Sequence, residues 1–476
     1  MPFYSDLIKY YDRTAILDDR QQSISYGALN KFCENIGLHL KKRTLVFSFC
    51  ENSIGSIAGY VAFLNNGVVP VLLDAHVEKE LRDNLLAIYQ PDYLYFPREM
   101  SGEFAGQPCI YDEWGYCLCE NPEKKEHRLY EGLALLLTTS GSTGSPKFVR
   151  QSYHNIQVNA ESIAEYLEID DTERPVTTLP MSYTYGLSII NSHLLRGGTI
   201  LATKYTLMQR EFWNFFKECG ATSFGGVPYT YEMLKKLRFF RMDLPSLRTM
   251  TQAGGKLAPE LHREFAEYAR EKGKKFVVMY GQCEATARMA YLPADRALEK
   301  YGSMGIAIPG GTLELIDAEG NVIEEPDVVG ELVYTGENVT LGYAETAADL
   351  EKGDERFGRL ETGDMAKRDE DGYYFIVGRK KRFLKIYGNR VNLDETERMI
   401  RRFDEDLACA CAGVDDHLYV FLENASEEKA GSVRQFLSEK TGLHPSAFTV
   451  RQLDKIPKNE AGKTLYGKLK EYYDGV

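Results

Sequence analysis

The sequence predicts an α/β protein, and three features predict it. Short apolar runs alternate with amphipathic segments along most of the chain, strands become short and Gly-punctuated from about Gly311, and a separate mixed pattern follows Arg382. At 476 residues, 43% hydrophobic and 27% charged, the chain is long enough for several cores. The first element, 44–49, reads as a buried strand. The stretch 57–73 is broken by Asn65-Asn66-Gly67 and Pro70, so it reads as helix, turn and strand (68–73) rather than a membrane span. After the apolar run 134–137, Ile156, Ala160, Ile163 and Leu167 share one face of a helix over 155–167. Runs at 199–202 and 276–279 continue the βα layering. Strands at 313–316, 330–334 and 373–377 then predict a small β-rich, barrel-like subdomain over about 311–378. A basic cluster, Gly378-Arg379-Lys380-Lys381-Arg382, ends the last of these, and 380–476 reads as a small α+β domain able to move as a unit.

Charge and cysteine content narrow the function. Fifty-seven Lys and Arg against 70 Asp and Glu give a net charge of -13, which argues against nucleic acid or anionic membranes as partners. Nine cysteines without a regular framework suit a reducing cytoplasm. The pairs Cys117/Cys119 and Cys409/Cys411 lack zinc spacing and read as alternating strand positions. Charges interrupt the N-terminal stretch where a signal peptide needs an apolar core.

The most informative segment is Thr139-Ser140-Gly141-Ser142-Thr143-Gly144-Ser145-Pro146-Lys147, directly after the run 134–137. Its glycines admit backbone amides close to a polyphosphate, its hydroxyls add donors, and Lys147 adds a mobile positive charge. Nucleoside triphosphate is the expected guest. The spacing is not that of a Walker A loop, which disfavours kinases and GTPases. A second segment, Tyr280-Gly281-Gln282-Cys283-Glu284, ends an apolar run and presents a carboxylate beside other strand ends.

With Thr251-Gln-Ala-Gly254-Gly255-Lys256, Glu361-Thr-Gly-Asp364, Lys385-Ile-Tyr-Gly-Asn-Arg390 and Pro457-Lys-Asn-Glu-Ala-Gly-Lys463, the chain resembles the adenylate-forming (AMP-binding) superfamily over essentially its whole length. That superfamily includes acyl-CoA synthetases, stand-alone adenylation domains and luciferases. The resemblance implies a large N-terminal adenylation domain (1–379), a mobile C-terminal domain (380–476) and a hinge at Lys381. It implies that residues 139–144 and Lys147 hold the phosphates and that Glu284 binds magnesium. Gly254, Gly255 and Lys256 would border the adenine together with Tyr280, Gly281 and Gln282. Asp364 would take the ribose hydroxyls and Arg379 would support ribose or phosphate. Thr143, Glu284, Lys385 and Lys463 are the implied catalytic residues, Lys463 bridging the substrate carboxylate and the α-phosphate. Two departures stand out: Phe148 replaces the glycine usual after the loop lysine, and Cys283 stands where a threonine normally contacts the α-phosphate, a thiol being a weak donor.

The expected reaction joins a carboxylic acid to ATP as an acyl adenylate with loss of pyrophosphate. The acyl group then passes to a thiol, that of coenzyme A or of a carrier protein's phosphopantetheine. Pro180-Met-Ser-Tyr183-Thr-Tyr185-Gly186 corresponds to the acid pocket and carries no Asp for an ammonium group, which disfavours an α-amino acid. Gly225 and Gly226 are expected to leave space for an acyl or aryl group. Tyr183 and Tyr185 suit a pocket wall and a core equally well. Two other readings are an amino-acid-activating enzyme that loads a carrier protein, and a degenerate nucleotide-binding homologue without catalysis.

Overall fold

Two large sheets with helices buried between them position most of the expected site. The computed structural model describes residues 2–104, 107–138, 147–386, 389–414, 416–458 and 464–473, without the side chains of 381, 383, 385, 389 and 390. The described residues fall into two compact units, one of residues 2–138, 147–313 and 334–360, the other of 314–333 and 361–473.

In the first unit, an eight-stranded sheet runs in the order Gly342–Ala344, Phe148–Ser152, Leu133–Thr138, Val69–Asp74, Leu45–Cys50, Tyr93–Pro97, Tyr116–Glu120, Cys109–Glu113. Its four central strands, Leu133–Thr138 to Tyr93–Pro97, are parallel and nearly continuous in apolar residues, as strands covered on both faces must be. A nine-stranded sheet has the order Ile306–Ala307, Ala290–Tyr291, Lys275–Tyr280, Thr249–Gln252, Ser223–Gly226, Pro175–Val176, Ile200–Ala202, Thr14–Asp18, Ser23–Ser25. The helix Ile54–Asn65 is apolar on every side and shares a core with Ile16 of one sheet and Leu72 of the other, so it lies between them. Helix Tyr153–Tyr166 starts at a reciprocal cap: Ser152 Oγ accepts from Asn155 N at 3.0 Å, and Asn155 Oδ1 accepts from Ser152 N at 2.9 Å. Its Ile156, Ala160 and Ile163 are buried, as the periodicity predicts.

Cys117 and Cys119 take alternating buried positions on one strand, and Cys409 and Cys411 do so on another. The neighbouring edge strand also brings Cys109 and Asp112 within 4.8 Å of Cys117, where Arg98 pairs with Asp112.

The second unit contains the greater part of a four-stranded sheet ordered Gly311–Ile316, Gly330–Gly336, Arg359–Arg368, Tyr374–Arg379. Its order is linear, an open sheet where the sequence suggests barrel-like closure. Helices Leu393–Phe403 and Glu427–Thr441 then pack with strands Cys409–Val414, His417–Glu423 and Phe448–Leu453, the expected α+β arrangement. The compact units divide the chain differently from a cut at 379/380, because 314–333 and 361–379 group with the C-terminal residues. Specific contacts explain the grouping. Val377 O accepts from Asn392 Nδ2 at 3.2 Å and from Arg398 Nη2 at 2.9 Å, tying strand Tyr374–Arg379 to the helix that follows. Arg382 in the basic cluster is buried, pairing with Glu397 at 2.6 Å and Asp394 at 2.7 Å beneath the Tyr466 ring.

Two histidines in the first unit are held neutral. Burial lowers His193 to about 4 while its Nδ1 sits 2.8 Å from Ile189 O. It lowers His262 likewise to about 4, and His262 Nδ1 accepts from Gly302 N at 3.1 Å. Between pH 6.5 and 4 the unfolded chain therefore binds protons that the folded chain refuses. Stability falls with decreasing pH in that window by up to about 1.4 kcal/mol per pH unit for each histidine. His262→Phe is expected to flatten the slope of unfolding free energy against pH in urea titrations from pH 6.5 to 4.5; a slope equal to the parent's contradicts the assignment.

Candidate active site

Strand Leu133–Thr138 leads up to the expected phosphate segment, and Phe148 pairs antiparallel with Thr138, so residues 139–147 connect two neighbouring strands. Thr139, Ser140, Gly141, Ser142, Thr143 and Gly144 lie outside the described residues. Lys147 is described, with its ammonium 3.9 Å above the centroid of the Tyr343 ring. Phe148, the residue that departs from the family pattern, is fully buried 4.9 Å from Tyr89 and 6.4 Å from Phe47. It fills the core behind the loop.

Three adjacent parallel strands, Ser223–Gly226, Thr249–Gln252 and Lys275–Tyr280, bring their carboxyl ends to one edge of the nine-stranded sheet. The turn after the third carries Glu284. Gln282 Nε2 donates to Tyr280 OH at 3.1 Å. Glu284 Oε1 accepts from Tyr343 OH at 2.6 Å, and its carbonyl accepts from Thr340 N at 3.0 Å and Arg356 Nη1 at 3.0 Å. Burial first, and the Glu284 charge second, push the Tyr343 phenol up, so it stays a neutral donor. The Tyr343 ring also lies 4.6 Å from the Arg356 guanidinium. Thr286 holds φ at +64°, a conformation that β-branched residues rarely adopt, and its Oγ1 donates to Asn338 O at 2.7 Å. Asn338 Nδ2 in turn donates to Ala285 O at 2.9 Å and Arg288 O at 3.1 Å. The carboxylate thus sits on a turn fixed from both sides. Cys283 Sγ is 4.0 Å from Thr138 O, which places it where the eight-stranded sheet's loop begins.

On the next strand, Gln252 Nε2 donates to Gly255 O at 2.9 Å and shapes the Gly254-Gly255 turn, while Lys256 is exposed. Gly254 has φ +80°, and a Cβ there would meet the Tyr183 hydroxyl at 2.8 Å. Tyr183 is half-buried, and burial first, then the nearby Cys283, push its phenol up. Tyr185 is buried, its hydroxyl 2.8 Å from Thr251 Oγ1, and Gly186 follows in the first turn of helix Thr184–Leu195. Gly225 and Gly226 do not leave open space. A Cβ on Gly225 would lie 2.8 Å from Ile189 and 2.9 Å from the Tyr185 hydroxyl, and one on Gly226 would lie 2.7 Å from Thr230. These glycines admit close packing of Tyr185 and Thr230 instead.

In the second unit, Asp364 and Arg379 face each other across paired strands, Arg379 Nε 3.0 Å from Asp364 Oδ1. Asp364 is 4% exposed, so its charge is directed by this pairing rather than dissipated in water. The side chains of Lys381 and Lys385, and all of Lys463, lie outside the described residues.

Sequence reasoning missed Tyr343, Arg356, Asn338 and Arg288. Tyr343 follows a glycine in a short strand and gives no chemical signal there. Only the fold brings it to Glu284, 59 residues earlier in the chain.

Comparison with known proteins identifies the family. The profile of the AMP-binding enzyme family matches residues 5–344. The 2-succinylbenzoate–CoA ligase of Bacillus cytotoxicus is 26% identical over 493 residues, covering 97% of this chain and 96% of that protein. The o-succinylbenzoate CoA synthetase of Bacillus subtilis, solved with its acyl-adenylate intermediate, superposes with a TM-score of 0.77 at 21% identity over 99% of this chain and 98% of that one. ATP-bound MatB from Rhodopseudomonas palustris gives a TM-score of 0.77 at 20% identity, covering 99% of both chains. At such identity the structural likeness establishes the fold, and the family match covering residues from the first helix to strand Gly342–Ala344 establishes more: this chain belongs to the AMP-binding enzyme family.

Proposed function

We propose that the chain is an AMP-forming acid–thiol ligase that converts a carboxylic acid and ATP to an acyl adenylate and then to the thioester of coenzyme A. One observation carries this reading: Glu284 is fixed on a rigid turn at the carboxyl ends of the strands, with Lys147 and Arg356 flanking the tyrosine that holds it. A single fixed carboxylate beside cations fits a magnesium ion whose remaining ligands are phosphate oxygens and water. The ion, when bound, neutralises charge on the leaving pyrophosphate.

In this reading a carboxylate oxygen of the acid attacks the α-phosphorus, a P–O bond forms, and the bond to pyrophosphate breaks. Thr143, the rest of 139–144 and Lys147 hold the phosphates, while Lys463 draws together two anions that otherwise repel. Asp364 and Arg379 hold the ribose, and Tyr280 and the Gly254-Gly255 turn border the base. Thiol attack on the adenylate carbonyl then expels AMP. Residues 380–476, turning about Lys381, withdraw Lys463 and present Lys385 for this second step. Relatives named as CoA ligases support coenzyme A as acceptor; a carrier protein's phosphopantetheine offers the same thiol. No described helix is long and apolar enough to cross a membrane, and the nine cysteines are unpaired, which supports a reducing cytoplasm as the setting.

The reading is tested by acid-dependent exchange of pyrophosphate into ATP by the purified protein. Exchange is expected to require both acid and magnesium, and its absence with a broad panel of acids favours a degenerate homologue. Glu284→Gln is expected to slow exchange by about 100-fold or more, whereas Tyr343→Phe, which frees the carboxylate without removing it, raises the magnesium concentration needed for half-maximal exchange; unchanged magnesium dependence contradicts the positioning role. Lys463→Ala is expected to abolish adenylation yet spare thioester formation from supplied acyl adenylate, and Lys381→Pro to do the reverse. Equal loss in both half-reactions for either variant contradicts the division of labour.

A further inference from the structure

The outermost strand of the eight-stranded sheet, Cys109–Glu113, carries an irregularity that changes which way its side chains point. Cys109 pairs with Cys119 and Asp112 with Cys117, and the register shifts between Cys109 and Tyr111. Positions 109 and 112 lie three residues apart, so in an unbroken strand they would face opposite sides of the sheet. The bulge adds one residue and cancels that difference. Packing agrees: Ile110 and Tyr111 both lie against the core that contains Leu118, whereas Cys117 and Cys119 belong to the core on the other face. Residues directly opposite each other share a face, so Cys109, Asp112, Cys117 and Cys119 stand together on one side of the hairpin.

The convergence is close. The Cys109 and Cys117 sulfurs and a carboxylate oxygen of Asp112 all lie within 4.8 Å of one another, and Cys117 Sγ stands 3.7 Å from Asp112 Oδ2. Around a tetrahedral ion with bonds of about 2.3 Å to sulfur and about 2.0 Å to oxygen, neighbouring ligand atoms are about 3.5–3.8 Å apart. Small side-chain rotations reach that spacing, and Cys109, exposed at the sheet edge, makes them by giving up a thiol bond to Tyr111 O at 3.2 Å. Asp112 is already oriented: Arg98 pairs with its Oδ1 and leaves Oδ2 toward Cys117, as partners behind metal ligands do. Two thiolates, one carboxylate and that guanidinium together balance a divalent cation, and sulfur ligands select zinc over magnesium or calcium.

We propose that Cys109, Asp112 and Cys117 bind a zinc ion, with the fourth position open to water at the sheet edge. Binding breaks two S–H bonds, forms two Zn–S bonds and one Zn–O bond, and releases both thiol protons to solvent. The ion fastens the edge strand to its neighbour Tyr116–Glu120, at the opposite edge of the sheet from Gly342–Ala344, so it serves the fold rather than the reaction. Cysteine spacing gives no zinc signature here because the bulge, not the spacing, brings the ligands together. A disulfide from Cys109 to Cys117 or Cys119 is the competing use of these thiols, and Asp112, which has no part in one, favours the metal.

Cobalt(II) titration of the reduced full-length protein, first stripped of metal with a chelator, provides the test. A sulfur-to-cobalt charge-transfer band and the intense visible bands of a tetrahedral site are expected to saturate at one ion per chain and to be abolished by zinc. Cobalt held by carboxylates alone, as at Glu284, gives no such charge-transfer band. Cys109→Ser and Asp112→Asn, both at exposed edge positions, are each expected to weaken zinc binding by about 100-fold or more in competition with a chromophoric chelator, and Arg98→Gln by about 10-fold. The zinc-induced rise in melting temperature is expected to vanish in Cys109→Ser. Absence of the charge-transfer band in the reduced protein overturns the proposal. So does a zinc affinity that either Cys109→Ser or Asp112→Asn leaves unchanged, since the ion then sits on other cysteines.

Discussion

The clamp between residues 284–288 and 338–343 is the constraint on which the rest of the site depends. Thr340, Arg356 and Tyr343 hold Glu284 by its carbonyl and its carboxylate, and Asn338 holds the carbonyls of Ala285 and Arg288. Buried carbonyls left unpaired here would each be costly, so the turn has one low-energy arrangement. That arrangement includes the left-handed Thr286, strained on its own and stabilised by its bond to Asn338. Rigidity at this point fixes two charges of opposite sign at once, the Glu284 carboxylate and the buried Arg288 guanidinium.

The clamp is anchored in turn by Arg150. Its fully buried side chain donates to Tyr343 O at 3.0 Å, to Leu341 O at 3.1 Å and to Gly353 O at 3.2 Å, and pairs with Glu355. Arg150 lies three residues after Lys147, on the strand that leaves the phosphate loop. The strand that receives the loop and the segment that positions Glu284 are therefore one hydrogen-bonded structure.

Much of this was legible in the sequence because it rests on local pattern. The strands at 44–49, 68–73, 134–137 and 276–279 and the helix at 155–167 follow from runs and periodicity that survive folding unchanged. The Glu284 turn and the Asp364 strand are contiguous motifs, visible for the same reason. What was not legible is long-range. A tyrosine at 343 acquires meaning only when the sheet places it against Glu284. Gly225 and Gly226 misled in the opposite sense: the absence of a side chain reads as space in a sequence, but Tyr185 and Thr230 occupy it. The open four-stranded sheet and its grouping with the C-terminal residues likewise depend on which strand edges find partners, information that no single segment holds.

Everything turns on where the bond to ATP breaks. Nucleophilic attack by the acid on the α-phosphorus, followed by thiol attack at the carbonyl, leaves one oxygen of the original carboxylate on AMP. Turnover with an acid labelled with oxygen-18 in the reacting carboxylate, followed by mass spectrometry of the AMP, measures this directly. One heavy oxygen on the phosphate of AMP is the predicted result. Unlabelled AMP alongside thioester product, or label appearing in phosphate with ADP as the nucleotide product, would contradict acyl-adenylate formation and with it the roles given to Glu284 and Lys463.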